Sequence, residues 1–406
     1  CKVILHAEFS KSGKNKLKGD STMKKITSAI LALLLAASMT ACGEKAVDTM
    51  EEVTAQTTAA ETEKATEAVT TEDKQEETEA ETATEETTET TETEPTYDIV
   101  EPPAEDFEYQ YNAVLEGIII NNYNGNEQAI RIPTVIDGDP VKEFHIEKRK
   151  IVCIEIPEGF TYINDRAINY CDNLEEIILP EGITEFGYKA LYCNDGLEKI
   201  TLPSSVKLIG ESTFEACDKL SEIILNDGLE NIGERAFFGC DMLSEIEIPD
   251  SVKSIDEEAF RDCKNLSQIK IPRNITVINS NTFQRCENLT NVILPEGLTT
   301  IGNSAFYECK SLEEITIPES VTIIGNSSFQ MCEKLKKINI PNGIETIDNS
   351  AFGSCKSLRE ITIPDSIVNI YWYAFDYCEA LTVTYKGQKY NYTNFGDLYT
   401  GYDWEK

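Results

Sequence analysis

The chain has 406 residues and a formal charge of −36, with 72 acidic side chains against 36 Lys and Arg. This balance argues against nucleic acid and anionic lipid surfaces as partners, because phosphate contacts require clustered cations. A field of this sign favours basic partners, and it also serves solubility.

Residues 1–22 precede the first Met of a signal-like segment. Lys18-Gly19-Asp20 can be encoded by AAAGGAGAT, a purine-rich ribosome-binding sequence well placed before an ATG at Met23, so residues 1–22 read as an untranslated leader. Residues 23–41 hold two Lys, an apolar run from Ile26 to Ala37 broken only by Thr27 and Ser28, and then small residues. That is the grammar of a secretory signal, and the run is too short for a membrane span. Its end, Met39-Thr40-Ala41-Cys42-Gly43, resembles a bacterial lipobox. The resemblance implies lipidation at Cys42 and attachment to the extracellular face of the cytoplasmic membrane. Residues 1–41 carry seven Lys against Glu8 and Asp20, which leaves −41 for the chain that begins at Cys42.

Residues 42–98 change character. Between Glu44 and Asp98 lie 17 Thr and 19 acidic residues, three Lys, and no Leu or Ile. Such a segment cannot bury enough apolar surface to offset its chain entropy, and it is expected to be a disordered tether. Its root-mean-square span is about 40 Å, extended further by carboxylate repulsion.

Residues 99–150 read as a divergent leading unit and cap, and residues 151–381 as ten repeats. Taking the Pro of each Ile-Pro or Leu-Pro pair as origin, every step from Pro180 to Pro364 is 23 residues, with Asn226 standing in once. A fixed period of this size predicts a solenoid, in which each unit is too small to bury a core alone and stacks on its neighbours. Within a unit the apolar positions recur at fixed offsets, as in Leu312, Ile315, Ile317, Val321, Ile324, Phe329, Cys332 and Leu335. The alternation Ile315-Thr316-Ile317 predicts a short strand with one buried face. The spacing by threes of Phe329, Cys332 and Leu335, after Gly325 and Asn326, predicts a short helical turn. The expected architecture is therefore an α/β repeat solenoid with a parallel sheet on one side and helical turns on the other.

Thirteen cysteines would ordinarily suggest disulfides in an exported chain. Here Cys171, Cys217, Cys240, Cys263, Cys286, Cys309, Cys332, Cys355 and Cys378 share one offset and form a ladder. Equivalent side chains point the same way, a poor geometry for bridging, and free Cys fills such a column as a small hydrophobe. Without a Cys-x-x-Cys pair, no metal or cofactor site is expected. His145 is the one histidine after the signal and is read as structural. Asp137-Gly138-Asp139-Pro140 is read as turn chemistry rather than a calcium loop. No nucleophile elbow, phosphate-cradling loop or zinc-protease helix occurs, and no catalytic residue or enzyme activity is expected.

The phrase Ile-x-Ile-Pro-x-x-Val-x-x-Ile-Gly-x-x-Ala-Phe-x-x-Cys-x-x-Leu resembles the BspA-like leucine-rich repeats of bacterial surface proteins, in register over residues 151–381. IRIPTVIDGDPV, in the leading unit, resembles that family's usual first repeat. Cys193 sits one place early with Asn194 at the Cys offset, and Ile168 and Leu191 replace the Phe. The resemblance implies a surface protein that binds an extracellular or host protein or glycan, in adhesion. A structural envelope scaffold is the alternative, and a monomer is expected.

Two surfaces are candidates for binding. The first is the solvent face of the sheet, at Ile178, Thr201, Ile224, Glu247, Lys270, Ile293, Thr316, Asn339 and Thr362 and at the offset two residues earlier. The second is the C-terminal end, residues 382–406, approached by Tyr371-Trp372-Tyr373 and followed by Tyr385, Tyr390, Tyr392, Phe395, Tyr399, Tyr402 and Trp404. These aromatics are expected to cap the open end of the stack, and Trp372 is in addition a candidate sugar-stacking platform.

Overall fold

The computed structural model describes residues 97–400. The leader, the signal segment, the lipidation expected at Cys42, nearly all of the tether, and Tyr402 and Trp404 lie outside the described residues.

Apart from the unit holding residues 245–247, each 23-residue unit contributes two short strands, which pair in parallel with an equivalent strand one unit away. The first ladder begins with Ala129–Arg131, Cys153–Glu155 and Glu176–Ile178, and continues through pairs such as Lys199–Thr201 with Glu222–Ile224 and Gln268–Lys270 with Asn291–Ile293. Register is locked by burial: Ile200 faces Ile223 and Ile269 faces Val292, each buried, so a one-residue slip would turn the core face outward. The alternation read from the sequence is thus the first ladder.

A second ladder follows the bend in each unit and was not expected from the sequence. Tyr162–Ile163, Glu185–Phe186, Leu208–Ile209, Asn231–Ile232 and Ser254–Ile255 form one five-stranded sheet, and the row resumes at Val277–Ile278, Thr300–Ile301 and Ile323–Ile324. Two-residue strands are too short to display a period, which is why Val321-x-x-Ile324 read only as spacing.

The expected helical turns are replaced by a non-helical turn ribbon. Among the described residues the only helical elements are single 3₁₀ turns at Ala104–Asp106 and Phe395–Asp397. Alternate amides along the ribbon bond in two directions. Ala305, Tyr307 and Cys309 donate back three residues to Gly302, Ser304 and Phe306, whereas Ser304, Phe306 and Glu308 donate to Asn326, Ser328 and Gln330 of the next unit. Helix is excluded because every fourth residue is left-handed, as at Ser304 (φ 53°), Glu308 (57°), Ser327 (54°) and Met331 (62°). Bonds between units therefore hold all three sides of the coil.

The core lies between the ladders and the ribbon. Phe214, Phe237, Phe260, Phe283, Phe306, Phe329, Phe352 and Phe375 form a column with centroids 5.2–5.7 Å apart and planes within 2–12°. Offset stacking of this kind adds to the burial of each ring. Beside it runs the Cys column, free thiols in the structure. Each thiol points at a backbone carbonyl rather than at the next sulfur: Cys240 donates to Phe214 O at 3.2 Å and Cys286 to Phe260 O at 3.1 Å. At the departure from the pattern, buried Asn194 does the same work. Its Nδ2 donates to Ile168 O and Leu191 O, both at 2.8 Å, and its Oδ1 accepts from Cys171 N at 3.1 Å.

Both ends are covered. At the N-terminal end Phe107–Asn112 pairs antiparallel with Gly117–Tyr123, which pairs in parallel with Asp139–Phe144. Asp137 (φ 53°) and Gly138 (φ 90°) make the two-residue hairpin turn between Val135–Ile136 and Asp139–Phe144, the turn chemistry read from Asp-Gly. His145 Nδ1 lies 3.1 Å from Arg166 O. At the C-terminal end Thr382–Tyr385 turns back as Gln388–Asn391, and Phe395 sits 6.1 Å from Phe375, over the last ring of the column.

Candidate functional site

The first ladder turns one face inward and leaves the other to solvent, and along this outer face the side chains stop repeating. Reading up one offset, Ile178, Thr201, Ile224, Glu247, Lys270, Ile293, Thr316, Asn339 and Thr362 succeed one another. All but Ile178 and Asn339 are exposed, and these two are half-buried. Adjacent rungs lie about 4.8 Å apart, so the offset forms one continuous row. Asn339 is committed to the scaffold: its amide donates to Ile317 O and accepts from Ile317 N, both at 2.7 Å.

The row is not flat. Lys199–Thr201 pairs with Glu222–Ile224, and pairing resumes at Gln268–Lys270, but residues 245–247 form no strand. Glu222 and Glu245 occupy the same offset on consecutive rungs, where like charges directly opposite weaken pairing. One unit lower, Asn226 replaces the Pro and clamps the bend of the unit before it, donating to Pro203 O at 2.9 Å and Val206 O at 3.1 Å. Over the gap lies an open groove of about 890 Å³, lined by Ile224, Asp227, Glu245, Glu247, Lys270 and Ile293 among others. Four residues of this offset, Ile224, Glu247, Lys270 and Ile293, therefore meet in one concavity. A second recess of about 710 Å³ lies beside Ile178 and Thr201, where Tyr97 OH donates to Glu175 Oε2 at 2.5 Å. That carboxylate raises the Tyr97 phenol to about 12.

On the flanks, carboxylates are neutralised by a cation one unit away, as in Lys336–Glu313 at 2.6 Å, Lys356–Glu333 at 2.7 Å, and Lys264–Asp241 and Lys310–Glu287 at 2.8 Å. Along the turn edge Glu215, nearly buried, takes Arg235 at 2.7 Å and Lys189 at 3.7 Å. Exposed pairs contribute little each, but together they relieve the repulsion of an acidic stack.

Trp372, the other candidate, is half-buried and belongs to the C-terminal packing. Its ring lies 5.8 Å from Tyr399 and 6.2 Å from Tyr373. The more exposed aromatics at this end are Tyr373, Tyr377 and Tyr392. Tyr377 was not singled out in the sequence, because its offset is a variable turn position in every unit. The ladder thiols offer no chemistry: burial pushes Cys217 up to about 12 and holds Cys240, Cys263, Cys286 and Cys309 well above the ordinary thiol range, so the thiolate that binds metals or attacks substrates is absent at neutral pH.

A stack of 23-residue coils with a parallel strand ladder and a variable outer face defines a leucine-rich-repeat solenoid. The chain belongs to the BspA type leucine rich repeat family, whose profile matches residues 142–267 and 253–382. Among solved structures, a leucine rich cell surface protein from Faecalibacterium prausnitzii is 27% identical, over 70% of this chain and 94% of that one, with a TM-score of 0.43. The pneumococcal vaccine antigen PcpA is 19% identical over 70% and 93%, also at 0.43. A leucine-rich repeat protein from Bacteroides ovatus is 21% identical over 71% and 100%, at 0.30. At these TM-scores the likenesses carry no weight for function, and family membership rests on the repeat match. Comparison with curated proteins finds no match.

Proposed function

We propose that this chain is a cell-surface-anchored leucine-rich-repeat protein that binds an extracellular protein or glycan, in adhesion, through the outer face of its first ladder. The observation that carries the reading is the contrast within one unit: inward offsets repeat the same side chains, whereas the outward offset varies from Ile to Thr, Glu, Lys and Asn on a rigid frame. Rigid presentation of a varied surface lowers the ordering cost of binding. Membership in the BspA-type family supports the reading, and the signal-like segment ending at Cys42 supports a lipid anchor on the outer side of the cytoplasmic membrane. A non-enzymatic role fits the inert thiols and the open form of the face.

The test is retention of the full chain on an array of extracellular-matrix proteins and glycans. A reproducible hit is expected. A blank array from chain shown to be folded by circular dichroism contradicts the reading and leaves an envelope scaffold. For the anchor, Cys42→Ala is expected to release the protein from the membrane fraction, and persistence there contradicts lipid attachment at that residue.

A further inference from the structure

The groove over residues 222–293 combines three features. One rung beneath it, residues 245–247, forms no strand. It holds two aliphatic side chains turned to solvent, Ile224 at 45% and Ile293 at 51% exposure. Its carboxylates outnumber its cations: Glu222, Asp227, Glu245, Glu247 and Asp250 stand against Lys270 alone. Lys199 neutralises Glu222 at 2.6 Å and Arg273 lies 3.4 Å from Asp250, but Asp227, Glu245 and Glu247 have no ion-pair partner among the described residues. Gln268 donates to Glu245 at 3.1 Å without cancelling its charge.

We propose that this groove receives an extended basic segment of a protein partner, with apolar side chains four residues apart seated on Ile224 and Ile293 and Lys or Arg between them. The proposal rests on the reading of the first-ladder face as the recognition surface. The spacing follows from strand geometry. Ile224 and Ile293 are three rungs apart, about 14 Å, and an extended chain advances about 3.3 Å per residue, so residues i and i+4 on one side of it match the two sites. A helix advances only about 6 Å over the same four residues and cannot reach both. The cation at i+2, on the same side of the segment as the two apolar residues, falls beside Glu245 and Glu247, where opposite charge both steers the encounter and fixes the register. No aromatic side chain lines the groove, which argues against a sugar-stacking platform.

The test uses the full chain and three end-blocked peptides: Ser-Leu-Lys-Lys-Lys-Leu-Ser, the same with Glu for Lys, and the same with Ser for Leu. The first peptide is expected to bind about tenfold or more tighter than either control, because charge alone or apolar contact alone meets only half of the site. Its affinity is expected to fall about threefold or more between 50 and 300 mM salt, as solvent-exposed charge pairs are screened. Both the pair Glu245→Gln with Glu247→Gln and the pair Ile224→Ser with Ile293→Ser are expected to weaken it about fivefold or more, with unchanged circular dichroism. Equal binding of the Lys and Glu peptides, or wild-type affinity in both paired variants, overturns the proposal. So does glycan binding that both paired variants abolish while no peptide binds, which makes the groove a sugar site. If the full chain captures extracellular proteins and neither pair of substitutions alters capture, the groove assignment fails while the face remains the binding surface. If the chain captures nothing, the broader reading fails with it.

Discussion

The buried columns and the outer face of the first ladder are built from the same 23-residue period and obey opposite rules. Inside, one ring or one thiol recurs at each rung because its neighbours above and below demand the same shape. Outside, Thr316, Glu247 and Ile293 occupy equivalent positions with nothing in common but exposure. The difference shows where the stability of the stack resides and which positions are left to vary with a ligand.

Alkaline pH should break the inner columns first. A thiol whose folded pKa is raised keeps its proton after the unfolded chain has lost it, so stability is intact below the unfolded value near 9 and falls as pH rises from there toward about 12, the level reached by Cys217. Each ladder thiol is expected to contribute a slope of about 1.4 kcal/mol per pH unit in that window. Denaturant titrations from pH 8 to 11 check this, and Cys286→Ala should flatten the slope by one thiol's share; a slope unchanged by that substitution would show that the thiols are not the cause.

Phe283→Ala removes a ring from the middle of the column and is expected to cost about 3–5 kcal/mol in equilibrium denaturation, whereas Thr316→Ser on the face should stay within about 0.5 kcal/mol. Near-equal effects would erase the distinction between column and face. Asn194→Ala strips three hydrogen bonds from a fully buried position and should cost about 2–3 kcal/mol, while Asn194→Cys, which restores the ladder thiol, should recover most of that loss.

The turn ribbon gives the smallest effect. Ser350 is left-handed (φ 53°), so Ser350→Gly is expected to raise stability by about 0.5–1 kcal/mol. Gly239 (φ 72°) is left-handed at the other such offset, four residues further on in its unit, and Gly239→Ala should lower stability by about 1 kcal/mol. Thermal melts that move both variants in the same direction would contradict the assignment of strain to these positions.

How much of this was legible follows from which residues carry a pattern. The period, the family and the first ladder could be read because Ile315-Thr316-Ile317 alternates and recurs in register. The outer-face positions were read from the same alternation, and the groove collects four of them. The groove itself was not legible, since it depends on a strand lost at 245–247, where Glu245-Ile246-Glu247 keeps the strand pattern. The ribbon was misread as helical because Phe329, Cys332 and Leu335 are spaced by threes. The left-handed residues of the ribbon, such as Arg285, Glu308, Ser327 and Met331, are not Gly, with Gly239 the one hint. The structural commitment of Asn339 also had no sequence signal, because an amide at that offset looks like any solvent-facing polar residue.

The most direct test of the central claim is to place Arg at three points along the outer face, Thr201→Arg, Glu247→Arg and Thr316→Arg together, and to measure both melting and ligand capture by the full chain. All three positions are exposed, so the melting temperature is expected to move by no more than about 3 °C. Capture of any extracellular ligand held by the wild-type chain is expected to fall about tenfold or more. A variant that melts as the wild type does and retains its ligand in full would contradict the account, and would place recognition on the turn ribbon, the second ladder or the aromatic end.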